Sequence, residues 1–162
     1  MRVWVDASTL IALDRIGEVA LVRRLLRKVA VTEEVAKEVF TGKESPTLRA
    51  ARGRWIQVVR VRGDRAQWMA LGLGPGEASL LLTPSRDTLV LDERDARLVA
   101  RGEGRAVVGL VGLLVRAALN GKLKREEVRT LLRKLAESGF HLSGALLRSA
   151  EEALGGPPSP PS

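Results

Sequence analysis

The chain of 162 residues has no cysteine, no tyrosine and one histidine, His141. Without cysteine there are no disulfides, no thiolate zinc sites and no cysteine nucleophile. His141 sits between Phe140 and Leu142, with neither an acid nor a nucleophile beside it, and one histidine cannot build a histidine metal cluster. Any bound metal is therefore expected to be hard and oxygen-ligated, magnesium or manganese before zinc. Aromatic residues make up 3% of the chain, too few for a base-stacking platform. No apolar run approaches the ~20 residues of a membrane span. The chain opens directly on a strand pattern, so no secretory leader and a cytoplasmic location are expected.

What is present is ordinary for a globular protein, with 45% hydrophobic and 28% charged residues. The length suits one domain, expected over residues 1–154. The proline-, glycine- and serine-rich stretch 155–162 reads as a disordered tail. A net charge of +8 fits a polyanionic partner such as nucleic acid. An arginine-rich chain with a single asparagine, Asn120, also fits a heat-adapted surface, so the charge alone does not choose.

Strand and helix patterns alternate. Val3-Trp4-Val5, Val29-Ala30-Val31, Trp55 to Val61, Thr88 to Asp92 and Ala106-Val107-Val108 read as strands. They are short and apolar without alternation, as in a parallel sheet covered on both faces. Helices are expected from Ser8 through Leu13, from Val19 to Lys28, after the cap Thr32, from Glu77 to Leu82, through Ala96 and Val99, and from Leu110 to Ala118. A final pair covers Lys124 to Ser138 and Ser143 to Leu154, separated by Gly139. The polar, basic stretch 41–54 reads as a loop or loose helical excursion. The alternation predicts an α/β/α sandwich around a parallel sheet of about five strands.

Two of these strands run straight into an aspartate, Asp6 and Asp92. The carboxyl ends of parallel strands border the ligand crevice, so both acids would face it. Asp6 is equally explained as the cap of the following helix. Glu38 flanks the buried stripe of Val35 and Val39, where most helical glutamates are merely solvated. Glu77 opens a helix, where the dipole alone would account for it. Asp95 follows Asp92 within one helical turn, and Glu93 is a possible substitute ligand. Gathered at one edge, such carboxylates would repel one another, and a divalent cation would relieve them.

In order and spacing these blocks resemble a PIN-domain ribonuclease of the short, VapC-like kind, the toxins of toxin–antitoxin pairs. The resemblance rests on Val5-Asp6-Ala7-Ser8-Thr9-Leu10-Ile11-Ala12-Leu13, Val31-Thr32-Glu33-Glu34-Val35-Ala36-Lys37-Glu38-Val39 and Leu71-Gly72-Leu73-Gly74-Pro75-Gly76-Glu77-Ala78. Leu91-Asp92-Glu93-Arg94-Asp95-Ala96-Arg97 and Ser138-Gly139-Phe140-His141-Leu142-Ser143 complete it. It implies a catalytic quartet of Asp6, Glu38, Glu77 and Asp92 that binds Mg2+ or Mn2+, with Asp95 as a further ligand and Ser8 supporting Asp6. It also implies an RNA substrate, an antitoxin protein as partner and a homodimer. Arg94 and Arg97 are candidates for holding the RNA backbone. Thr32 stands where this subgroup often has proline, and Leu110 where it often has threonine. A silent PIN domain that binds RNA or a protein, and an RNA-processing nuclease without antitoxin, remain alternative readings.

Overall fold

The computed structural model describes residues 1–155; the expected disordered tail lies, apart from Gly155, outside them. The chain forms two compact units, Met1–Leu110 and the residues from Val111 onward.

The first unit holds strands β1 (Val3–Val5), β2 (Val29–Thr32), β3 (Ile56–Val59), β4 (Thr88–Val90) and β5 (Val107–Val108). Its helices are α1 (Ala7–Arg15), α2 (Ala20–Leu26), α3 (Glu33–Val39), α4 (Pro46–Ala51), α5 (Ala66–Met69), α6 (Pro75–Leu80) and α7 (Arg94–Gly102). The strands lie in the order β3-β2-β1-β4-β5, every neighbouring pair parallel. Val3 stands opposite Thr88, Trp4 opposite Leu89 and Val5 opposite Val90. From β1 the chain builds outward to β2 and β3, then returns to β1's other side for β4 and β5. Right-handed crossovers therefore place the helices of the two halves on opposite faces, which gives the expected α/β/α sandwich. Burial agrees, since all four residues of β2 are buried and so are Trp4, Val5, Leu89 and Val90.

The reversal of direction between β1 and β4 is a topological switch point, where a crevice opens beyond the strands' carboxyl ends. Asp6 directly follows β1, and Asp92 comes two residues after β4. Two short helices add detail to the sequence expectation, one of them inside the stretch read as a loop or loose helical excursion. Stretch 41–54 contains α4, started by Ser45, whose side chain accepts the Leu48 N–H, with Pro46 at the first helical position. The four-residue α5 is too short to show a period. Helix α6 begins earlier than expected, at Pro75, and ends at Leu80, before Pro84.

The second unit carries most of α8 (Leu110–Leu119), α9 (Arg125–Glu137) and α10 (Gly144–Ala153). Helix α9 buries Val128, Leu131, Leu132 and Leu135 at helical spacing. Gly139, at φ +93°, takes the left-handed conformation that stops it. Arg129 of α9 pairs with Glu151 of α10 at 2.9 Å and with Glu126 one turn earlier.

Candidate active site

Asp6 is 3% exposed and both its oxygens are engaged. Oδ1 accepts the Thr9 N–H at 3.0 Å, the cap of α1, and Oδ2 accepts the Asp92 N–H at 2.8 Å across the switch point. The two explanations open in the sequence, helix cap and crevice acid, thus hold for the same carboxylate. Burial raises its pKa above the usual aspartate value; the N–H donors of Asp92 and Thr9, the Thr9 side chain and the charge of Arg97 pull it down less strongly. Ser8, expected to support this acid, is exposed, and Thr9 makes the contact instead.

Glu38 lies in the last turn of α3, its residue surface largely exposed, yet its carboxylate reaches α6. The Gly76 N–H lies close enough to act on it. A Cβ on Gly76 would stand 2.6 Å from Glu38 Oε1, so the contact needs glycine there. Burial of the carboxyl raises the Glu38 pKa; the Gly76 N–H lowers it, and the charge of Asp6 raises it further. Two buried hydroxyls hold α3 and α6 in this relation. Ser79 Oγ donates to Gly76 O at 2.6 Å, so in the 2.7 Å contact with Thr32 it is Thr32 that donates. Thr32 Oγ1 also accepts the Val35 N–H at 3.1 Å, capping α3.

Glu77 sits in the first turn of α6, and its Oε1 accepts the Gly74 N–H at 3.2 Å. Its pKa is raised to about 7, first by burial, then by a hydrogen bond to Glu93, and further by the charges of Glu93 and Asp6. Glu93, the lesser candidate, thus lies close enough to Glu77 to act on its pKa. Asp95 lies exposed in the first turn of α7. Asp92 is half-buried, and its position is fixed by its N–H on Asp6 and by Arg97, which donates to its carbonyl. Arg97 Nη1 also donates to Leu91 O at 3.1 Å, and its guanidinium packs against Gly109. Arg97 thus braces the end of β4, while Arg94 remains exposed.

Glu38 and Glu77 therefore each lie close enough to Asp6 to feel its charge, at the edge where Asp92 also lies. Among the described residues, no three His, Cys, Asp or Glu side chains stand close enough together to hold a metal ion as arranged. The donor chemistry nevertheless suits a hard divalent ion. Every donor is a carboxylate oxygen, and the charge of Asp6 raises both Glu38 and Glu77, a repulsion that a cation relieves.

Residues 2–155 match the family model described as PIN domain, and the chain belongs to the PIN-domain family. PIN domains are generally nucleases, hydrolases of nucleic acid. No curated protein and no solved structure matched the sequence.

Proposed function

We propose that the protein is a metal-dependent ribonuclease that hydrolyses RNA phosphodiester bonds, working as the toxin of a type II toxin–antitoxin pair. The observation that carries the nuclease reading is the approach of Glu38 and Glu77 to Asp6 at the β1/β4 switch point, where the charge of Asp6 raises the pKa of both glutamates. The toxin role rests on the likeness to short VapC-like chains, and the antitoxin and a homodimer are expected on the same ground.

The reaction adds water to phosphorus and breaks the P–O3′ bond, leaving a 3′ hydroxyl and a 5′ phosphate. Asp6, Glu38, Glu77 and Asp92 would hold Mg2+ or Mn2+, with Asp95 as a further ligand; the ion supplies Lewis-acid stabilisation of the reacting phosphate. The chain's own groups set the geometry beforehand. Two backbone N–H groups fix the Asp6 carboxylate, the missing side chain at Gly76 leaves room for Glu38 Oε1 against α6, and Arg97 steadies the main chain at Asp92. Such preorganisation costs nothing when substrate arrives. Arg94, exposed on α7, would hold the RNA backbone.

Purified protein should cleave unstructured RNA with manganese and stop with EDTA. Asp6→Asn and the exposed-residue variant Glu38→Gln should each lose cleavage, the latter while remaining folded. Cleavage by both variants at the wild-type rate would sink the site. No cleavage and no manganese binding by calorimetry would leave a silent binding domain. Co-expression with a small protein encoded just upstream should block activity and co-purify if the toxin reading is right.

A further inference from the structure

At the opposite end of the sheet, before β2 and β3 begin, lies a cavity of about 470 Å³ lined by Arg23, Arg27, Lys28, Arg54 and Trp55. The four cations are exposed, and among the described residues none is in an ion pair. No acid lies in residues 19–32, which carry four cations, or in residues 45–63, which carry five. The helix dipole accounts for Arg23 in the last turn of α2, but Lys28 and Arg54 lie outside any helix.

The backbone beneath them is tied down. Val29 donates its N–H to Trp55 O at 2.9 Å, and Gly53 to Ile56 O at 2.9 Å. Arg27 is the only non-glycine residue with positive φ among those described, at φ 66° and ψ −68°. With Lys28 N–H on Leu26 O at 2.8 Å it forms the γ-turn that is the rarer and more strained of the two kinds. The turn sets Arg27 and Lys28 side by side on the cavity. Trp55, 8% exposed, forms an apolar wall. Cations around a concavity with an aromatic wall suit a nucleotide's phosphate together with its sugar or base.

We propose that this cavity is a second phosphate-binding site, for the backbone of the RNA substrate, at the amino ends of the strands. It rests on the ribonuclease reading above. Strand β2 separates it from the acidic edge by four residues, ~13 Å along the sheet, so a trinucleotide at the carboxylates would not reach it and a long strand would.

The test uses full-length protein in EDTA, where nothing is cleaved, with binding of a long single-stranded RNA read by fluorescence anisotropy. Arg23→Gln, Lys28→Gln and Arg54→Gln combined should weaken binding about tenfold and lower the salt slope by about 0.7 for each phosphate no longer neutralised. A control triple of exposed arginines elsewhere, Arg15→Gln, Arg101→Gln and Arg133→Gln, should weaken it far less. Equal losses would reduce the effect to net charge and overturn the site, as would unchanged binding in the first triple. Adenosine triphosphate bound by wild type but not by the first triple, with RNA affinity unchanged, would assign the cavity to free nucleotide and overturn the RNA proposal. Trinucleotide cleavage with manganese should be unaltered in the first triple; its absence in wild type too would count against the nuclease reading rather than the cavity.

Discussion

At the scale of single residues, Asp6 carries two duties with one carboxylate. Its two oxygens accept from two different backbone groups, and an amide has only one acceptor oxygen. Asp6→Asn should therefore cost about 1–3 kcal/mol of stability as well as activity, measured by urea unfolding. Gly76→Ala separates the two effects. Gly76 lies outside the left-handed region, so its backbone accepts alanine, but the new methyl meets Glu38 Oε1. The flexible carboxylate should move aside, lowering cleavage at least about tenfold while thermal unfolding barely changes. Asp6 was legible in the sequence because a short apolar strand ends on it. Glu38 was legible only through the resemblance, because its placement depends on a glycine far along the chain, Gly76, and on the Thr32–Ser79 pair. The influence of Glu93 on Glu77 is likewise tertiary, linking two segments that no local pattern connects.

At the scale of elements, the strands could be read because a parallel strand covered on both faces has little choice of residue. The short helices could not, since four to six residues show no full period. Helix α4 did carry a start signal, Ser45 followed by Pro46, beneath a polar and basic surface that reads equally as a loop or a loose helical excursion. The connection from α6 to β4 is held by a residue that no pattern singles out. Arg105, 6% exposed, donates to Thr83 O at 3.1 Å, Thr83 Oγ1 at 2.9 Å, Pro84 O at 2.9 Å and Asp87 O at 3.2 Å. Asp87 in turn accepts the Trp4 indole N–H at 2.9 Å, linking this loop to β1. Arg105→Met would leave these carbonyls unmatched, and chemical denaturation should show a loss of about 2–4 kcal/mol.

At the scale of the whole molecule, the clustered acids tie stability to pH. Glu77 is raised from 4.5 to about 7 in the folded chain, so the folded state holds a proton that the unfolded state has released. In metal-free protein this stabilisation is fully present below about pH 4.5 and is lost as pH rises toward 7. The raised pKa values of Asp6 and Glu38 act in the same direction. Thermal unfolding in EDTA should accordingly weaken between about pH 5 and 7.5 from this source, and Glu77→Gln should flatten the dependence. The charge of the whole chain, ambiguous in the sequence, acquires a location in the structure: acids gather at the carboxyl ends of the strands, and cations without an ion pair among the described residues line a cavity at the amino ends.

The bond from Asp92 to the Asp6 side chain follows directly on the one from Asp6 to Val90 O at 3.0 Å, so a carboxylate takes over the ladder where the β1–β4 pairing ends. On the proposed reading, selection for the fold and selection for the chemistry therefore fall on the same atom pair. A descendant that had abandoned catalysis would still be held to aspartate at position 6, whereas Glu38, exposed and outside that ladder, would be free to drift. In such lineages an intact Asp6 is no sign of a working enzyme, and the identity of residue 38 is the better guide.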